Sequence, residues 1–203
     1  LINALLPLVI VALPGVPKYD GVRLFLPAFP FICLIAGIGI HRLPSAFASM
    51  KVRRSLLVLC FVLLAVTAYK AIIRIHPYQS SYYNAFAEGT GGATVTGFEA
   101  DYWGHPLLYA LPWLNEHSDK RFWLYMAELE PKIMWGIDCY KKDGLLRKSV
   151  PFGDKDSSDF LVLLMRQGFF SNRMWDFYIN KKPVYSVKAG QTPLINIYRL
   201  NGR

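Results

Sequence analysis

Acidic residues are nearly missing from the first third of this 203-residue chain. Residues 1–73 hold seven basic side chains (Lys18, Arg23, Arg42, Lys51, Arg53, Arg54 and Lys70) against a single acid, Asp20. Charge is scarce throughout: 18% of residues are charged and 53% are hydrophobic, with a mean hydropathy of +0.25. That balance excludes a disordered or fibrous protein and is too apolar for an ordinary soluble domain. Three cysteines are too few for a disulfide scaffold. No zinc-ligand spacing, P-loop, dinucleotide fingerprint or nucleophile elbow is present. The net charge of +9 would suit nucleic acid, but +6 of it lies in the hydrophobic third. Basic residues there report membrane topology, so a nucleic-acid partner loses its main support.

Three apolar stretches occupy residues 1–73. Leu1–Leu13 carries no charge but reaches only about 20 Å as a helix, short of a hydrocarbon core of about 30 Å. It reads as the truncated end of a transmembrane helix, which makes the chain the C-terminal part of something longer. Leu24–Ile40 is a second span, whose Pro27 and Pro30 kink a membrane helix without excluding it. Ser55–Ile73 is a third, with Lys70 placed to snorkel toward headgroups. The acid-free loop His41–Arg54 carries Arg42, Lys51, Arg53 and Arg54, which predicts a cytoplasmic position. Pro14–Val22 and everything after Arg74 then lie outside the cytoplasm, as expected for an integral membrane protein. Only Cys139 falls in the exported part, so no structural disulfide is expected.

After Arg74 the composition turns globular. Residues 74–105 form an interfacial segment rich in Gly and aromatics, with breaks at Gly89, Gly91, Gly92 and Gly97. Residues 106–203 read as a small extracytoplasmic α/β domain. Pro106–His117 is an amphipathic helix with Leu107, Leu108, Ala110, Leu111 and Leu114 on its apolar side, although Pro112 threatens its continuity. Arg121–Met126 is a strand, Pro131–Lys141 a helix, Asp159–Met165 a buried strand and Ser171–Asn180 a helix. Pro183–Lys188 and Pro193–Leu200 close the chain as an antiparallel hairpin turning at Ala189–Thr192. The predicted fold is therefore membrane α-helical, with three spans of which the first is truncated, followed by a small α/β layer.

Three clusters can carry chemistry. Arg23, beside Tyr19 and Asp20 at the outer mouth of the second span, offers a fork of donors for a phosphate. Its plainer role is an interfacial anchor. The run His76–Asn84 follows the third span; its tyrosines, Tyr83 among them, fit an aromatic belt. His76 and Asn84 add hydrogen-bonding capacity that a belt does not need. In Gly97–Gly104, the carboxylates Glu99 and Asp101 adjoin the aromatic pair Tyr102 and Trp103, a combination that suits a sugar or a cation. The competing reading is a packed loop whose aromatics dock it on the membrane domain.

Taken in order, these pieces resemble a known family. Tyr-Asp-Gly-Val-Arg-Leu-Phe-Leu-Pro-Ala-Phe-Pro opens a span at residues 19–30. His-Pro-Tyr-Gln-Ser-Ser-Tyr-Tyr-Asn at 76–84 is followed by Gly91-Gly92-Ala93, Asp101-Tyr102-Trp103-Gly104 and Trp113-Leu114-Asn115. The order resembles the C-terminal part of bacterial membrane glycosyltransferases of the GT-C type, in particular the family 39, dolichyl-phosphate-mannose-protein mannosyltransferase-like proteins. Residues 19–30 and 76–104 are the most specific parts of the likeness. The resemblance implies a multi-spanning transferase that takes a sugar from a polyprenyl-phosphate donor and hands it to an acceptor outside the cytoplasm.

Arg23 would contact the lipid phosphate, with Tyr19 and Asp20 as its neighbours. His76, Tyr83, Asn84, Glu99, Asp101, Tyr102 and Trp103 are candidates to line the donor or substrate site. The family's catalytic carboxylates lie in a first external loop that this chain lacks, so no catalytic residue is assigned within it, nor any metal ligand. A divalent cation, if used, would be held mainly by that upstream part. The other function left open is a non-catalytic membrane protein whose external domain binds a partner or a glycan.

Overall fold

A computed structural model of the chain describes residues 1–16, 21–42, 49–101, 103–119, 121–127, 138–154 and 156–200, with the side chains of 21–23 outside the description. The chain divides into two compact units, Leu1–Lys70 and Ala71–Arg203.

The first unit is helical. Helix α1 (Ile2–Ala12) contains Pro7 and stops at 11 residues, too short to cross a bilayer. The second apolar stretch begins as a tight 3-10 run, Gly21–Ala28, and relaxes into α2 (Phe29–Arg42). Proline explains this start. Pro27 and Pro30 have no amide hydrogen, so neither can donate to the carbonyl four residues back. Together Leu24–Arg42 make 19 residues long and apolar enough to span a membrane. Among the described residues of this unit only Ala4 and Ala28 are buried, and α1 packs against both the 3-10 run and α2. Small side chains at the contact let the helix backbones approach closely.

Helix α3 (Met50–Ile75) is the second helix long and apolar enough to cross. Its 26 residues reach about 39 Å, longer than the predicted Ser55–Ile73 because Lys51, Arg53, Arg54 and Arg74 also adopt helix. Its Thr67 hydroxyl donates to the carbonyls of Leu63 and Leu64, both at 2.9 Å, so this polar group needs no water. At the near ends of α2 and α3, Arg53 Nη2 donates to His41 Nε2 at 2.9 Å.

The second unit is built on a four-stranded sheet in the order β1-β2-β4-β3, comprising β1 (Leu124–Met126), β2 (Phe160–Leu164), β3 (Tyr185–Ala189) and β4 (Thr192–Arg199). β1 and β2 run parallel, while β4 is antiparallel to both of its neighbours. The unbroken apolar run of β2 follows from cover on both faces. Phe160, Val162 and Leu164 meet Leu107, Ala110, Leu111 and Leu114 of α5 (Leu107–His117) in one core; Leu161 and Leu163 lie in a second with Met174 of α6 (Asn172–Asn180). Each Phe, Val, Leu or Met side chain fully buried here contributes about 1.5–3 kcal/mol.

Pro112 lies inside α5 without ending it, and Trp113 on that helix stacks on Tyr185 of β3 at 4.7 Å. Leu108, predicted on the buried side of α5, is instead exposed. The hairpin turns at Gly190 and Gln191, tighter than predicted, because Ala189 already pairs with Thr192. Gly190, at φ +61°, supplies the left-handed backbone that a two-residue turn needs. Of the predicted helix Pro131–Lys141, residues 128–137 lie outside the described set, and residues 138–142 are helical. Cys33, Cys60 and Cys139 are free thiols.

Candidate functional site

The segment after α3 is a folded corner rather than an open loop. Two short 3-10 turns, Gln79–Ser81 and Ala85–Ala87, lead into helix α4 (Gly89–Val95). Gly91 and Gly92, predicted as breaks, sit inside that helix. The reason is space: a Cβ on Gly92 would lie 2.4 Å from the Ala87 carbonyl oxygen, and one on Gly91 would press Thr192 Oγ1 at 3.2 Å. The glycines let α4 close down on its own preceding turn and on the start of β4. Gly89, at φ +70°, opens the helix, and Gly97, at +94°, interrupts the chain just past its end.

Asp101 is the knot of this corner. It is wholly buried, and its Oδ1 accepts from Ser80 Oγ at 3.1 Å and Ser81 Oγ at 3.5 Å, while Oδ2 accepts from the Gly104 amide at 2.7 Å. His105 Nδ1 lies 3.1 Å from the same Ser80 hydroxyl. Burial pushes the Asp101 carboxyl above its ordinary value; the Gly104, Ser80 and Ser81 hydrogen bonds and the nearby His105 pull it back only in part. The Asp101 charge in turn adds to burial in raising the Tyr140 hydroxyl. Thr90 Oγ1 donates to the Ser81 carbonyl at 2.6 Å, tying α4 to the same turn.

The neighbouring carboxylate is engaged separately. Glu99 Oε2 accepts from Arg166 Nε at 2.9 Å, and the guanidinium carbon of Arg166 lies 4.4 Å from the centre of the Phe169 ring. The Tyr83 hydroxyl donates to the Glu99 carbonyl at 2.9 Å, and Asn84 Oδ1 caps a turn by accepting from the Phe86 and Ala87 amides. Gln79 Nε2 donates to His76 Nδ1 at 2.9 Å.

The structure therefore brings Tyr83, Asn84, Glu99 and Asp101 into one corner, where the polar groups described above brace the backbone. It does not aim Glu99 and Asp101 at a shared point. What faces outward is aromatic: Tyr82, Phe98 and Trp103 are each about half exposed. Tyr19, Asp20 and Tyr102 lie outside the described residues, as does the side chain of Arg23. Among the described residues, no three His, Cys, Asp or Glu side chains converge on a point that could hold a metal ion.

Sequence reasoning missed His105 and Arg166, and gave no role to Ser80 and Ser81 inside the run His76–Asn84. Arg166 alone carried a signal, a charge directly after a fully apolar strand. A groove of about 430 Å³ was also missed; Arg173, Phe177, Lys181, Lys182, Tyr198 and Arg199 line it, with Asp156 pairing Arg173 at 3.2 Å. Neither a protein family, nor a curated protein, nor a solved structure matches this chain.

Proposed function

We propose that the chain is the C-terminal part of a membrane glycosyltransferase that moves a sugar from a polyprenyl-phosphate donor to an acceptor on the extracytoplasmic face. One observation carries the reading: an apolar helix long enough to cross a bilayer is followed directly by a braced corner that buries Asp101 and presents the aromatic faces of Tyr82 and Trp103 outward. Aromatic faces are what a sugar stacks on, and the end of a span is where a lipid-linked sugar presents itself.

In the reaction an acceptor hydroxyl oxygen bonds to the anomeric carbon as the bond from that carbon to the phosphate oxygen breaks. The polyprenyl phosphate leaves with the electron pair, and the hydroxyl proton passes to a carboxylate upstream of this chain. Arg23 steadies the charge developing on the departing phosphate. Trp103 and His76 sit on the sugar side, while Asp101 and Glu99 hold the corner in shape. The test supplies membranes bearing the complete protein with a radiolabelled polyprenyl-phosphate hexose. Label should move to an acceptor, and residues 1–203 alone should move none; transfer from a nucleotide sugar but not from the lipid donor would overturn the reading.

The groove along α6 favours a second reading. Its basic rim and aromatic floor suit an anionic glycan, as a non-catalytic binding domain would require.

A further inference from the structure

The corner that follows α3 displays apolar side chains where a water-facing surface would hide them. Phe86 is 99% exposed, Val95 88% and Phe98 57%. These are not residues of a loose loop. Asn84 caps the turn that carries Phe86, and the Phe98 amide donates to the Ala93 carbonyl at 2.9 Å. Tyr83, whose hydroxyl is fixed on the Glu99 carbonyl, lies ring to ring with Phe98 at 5.9 Å. Gly92 seats α4 against Ala87, so Phe86 and Val95 stand at the two ends of one packed element.

We propose that Phe86, Val95 and Phe98 are a footing that inserts into the headgroup–acyl boundary of the bilayer, holding the α/β unit down on the membrane surface. The inference rests on the reading of α3 as a membrane span. Two features select lipid as the occupant. Ile72 and Ile73, on the last turns of α3 and within the same compact unit, are also exposed, so the apolar surface begins at the helix that leaves the membrane. From Ile75 to Phe98 the only Asp, Glu, Lys or Arg is Glu88, whereas Lys70 and Arg74 just before it are placed to meet lipid phosphates. A stretch so poor in charge, rich in Tyr and Phe and preceded by cations, has the composition of a membrane–water interface.

The test uses the full chain with Cys33, Cys60 and Cys139 replaced, reconstituted in phosphatidylethanolamine–phosphatidylglycerol vesicles. A nitroxide is attached at Phe86→Cys, Val95→Cys, Leu64→Cys in α3 or Ile179→Cys, the last an exposed apolar position on α6. Collision rates with oxygen and with a water-soluble nickel chelate then give the depth of each label. Labels at 86 and 95 should favour oxygen and report a depth of about 5–10 Å below the phosphates, with 64 deeper and 179 in water. Because Phe86 and Val95 make little contact with the rest of the unit, circular dichroism of their variants should match the parent. Labels at 86 and 95 that meet the nickel chelate as freely as 179 overturn the footing. So do labels shielded from both reagents, since a protein surface would then cover them. In either case a lipid-exposed label at 64 leaves the span reading standing. A label at 64 that meets the nickel chelate removes the span itself, and the footing with it.

Discussion

Arg166 Nε donates to Glu99 Oε2 at 2.9 Å across 67 residues of chain, joining the end of β2 to the corner that follows α3. Both side chains are mostly shielded from water, at 13% and 26% exposure, so solvent screens the pair less than it would a surface contact. Arg166→Ala should leave Glu99 without this charged donor and destabilise the second unit by about 1.5–3 kcal/mol. Glu99→Gln should cost less, since the amide oxygen can still accept. Urea unfolding of the two single variants and of the double variant measures the coupling; additive effects would mean that the contact contributes nothing.

Asp101 makes stability depend on pH in a definite direction. Its raised value means that the folded chain keeps the proton to higher pH than the unfolded chain does. The contribution is therefore complete below the ordinary carboxylate range and lost as pH rises through the raised value. Asp101→Asn, which can still accept from Gly104 while the Ser80 and Ser81 hydroxyls rotate to receive its amide, should remove that component. The wild-type-minus-variant unfolding free energy should fall as pH rises from acidic to neutral; a flat difference would show that this carboxyl is not perturbed. Asp101→Ala orphans three donors and should cost about 1–3 kcal/mol across the range.

Gly92→Ala should loosen α4. The new methyl would meet the backbone carbonyl of Ala87, which no side-chain rotation can relieve. Overpacking of this kind costs about 1–3 kcal/mol. Amide hydrogen exchange should rise in residues 85–97 first, and unchanged protection there would refute the close approach.

These residues also mark how far the sequence could be read. The α/β elements were legible because their signals are local: two β-rich runs flanking a glycine turn for the final hairpin, an apolar run for β2 and a helical stripe for α5. The two long apolar helices were legible from hydropathy. The corner was not, because glycine reads as a break until the partner it lets in is known. Gly91 and Gly92 belong to a helix only because Thr192 and Ala87 lie against it. Likewise Glu99 and Asp101, carboxylates two residues apart in sequence, could be assigned separate tasks only once Arg166 and Ser80 were in place beside them. No spacing rule encodes a contact across 67 residues.

The basic loop between α2 and α3 predicts orientation. In a background without the native cysteines, Ala48→Cys should be shielded from a membrane-impermeant thiol reagent in intact cells, whereas Ser157→Cys should react. The opposite labelling would reverse the topology and put the α/β unit in the cytoplasm.

Donor turnover by the complete protein, per mole of folded, membrane-inserted enzyme, tests the central claim most directly when wild type, Arg23→Lys and Arg23→Ala are compared. A guanidinium can hold two phosphate oxygens at once, which a lysine ammonium cannot reproduce. If the contact forms in the transition state, Arg23→Ala should lower turnover roughly ten- to hundredfold, with Lys recovering only part. No turnover of a polyprenyl-phosphate sugar by the wild-type protein would contradict the account outright. Equal turnover by all three forms would leave the transferase reading and contradict the place given to Arg23 in it.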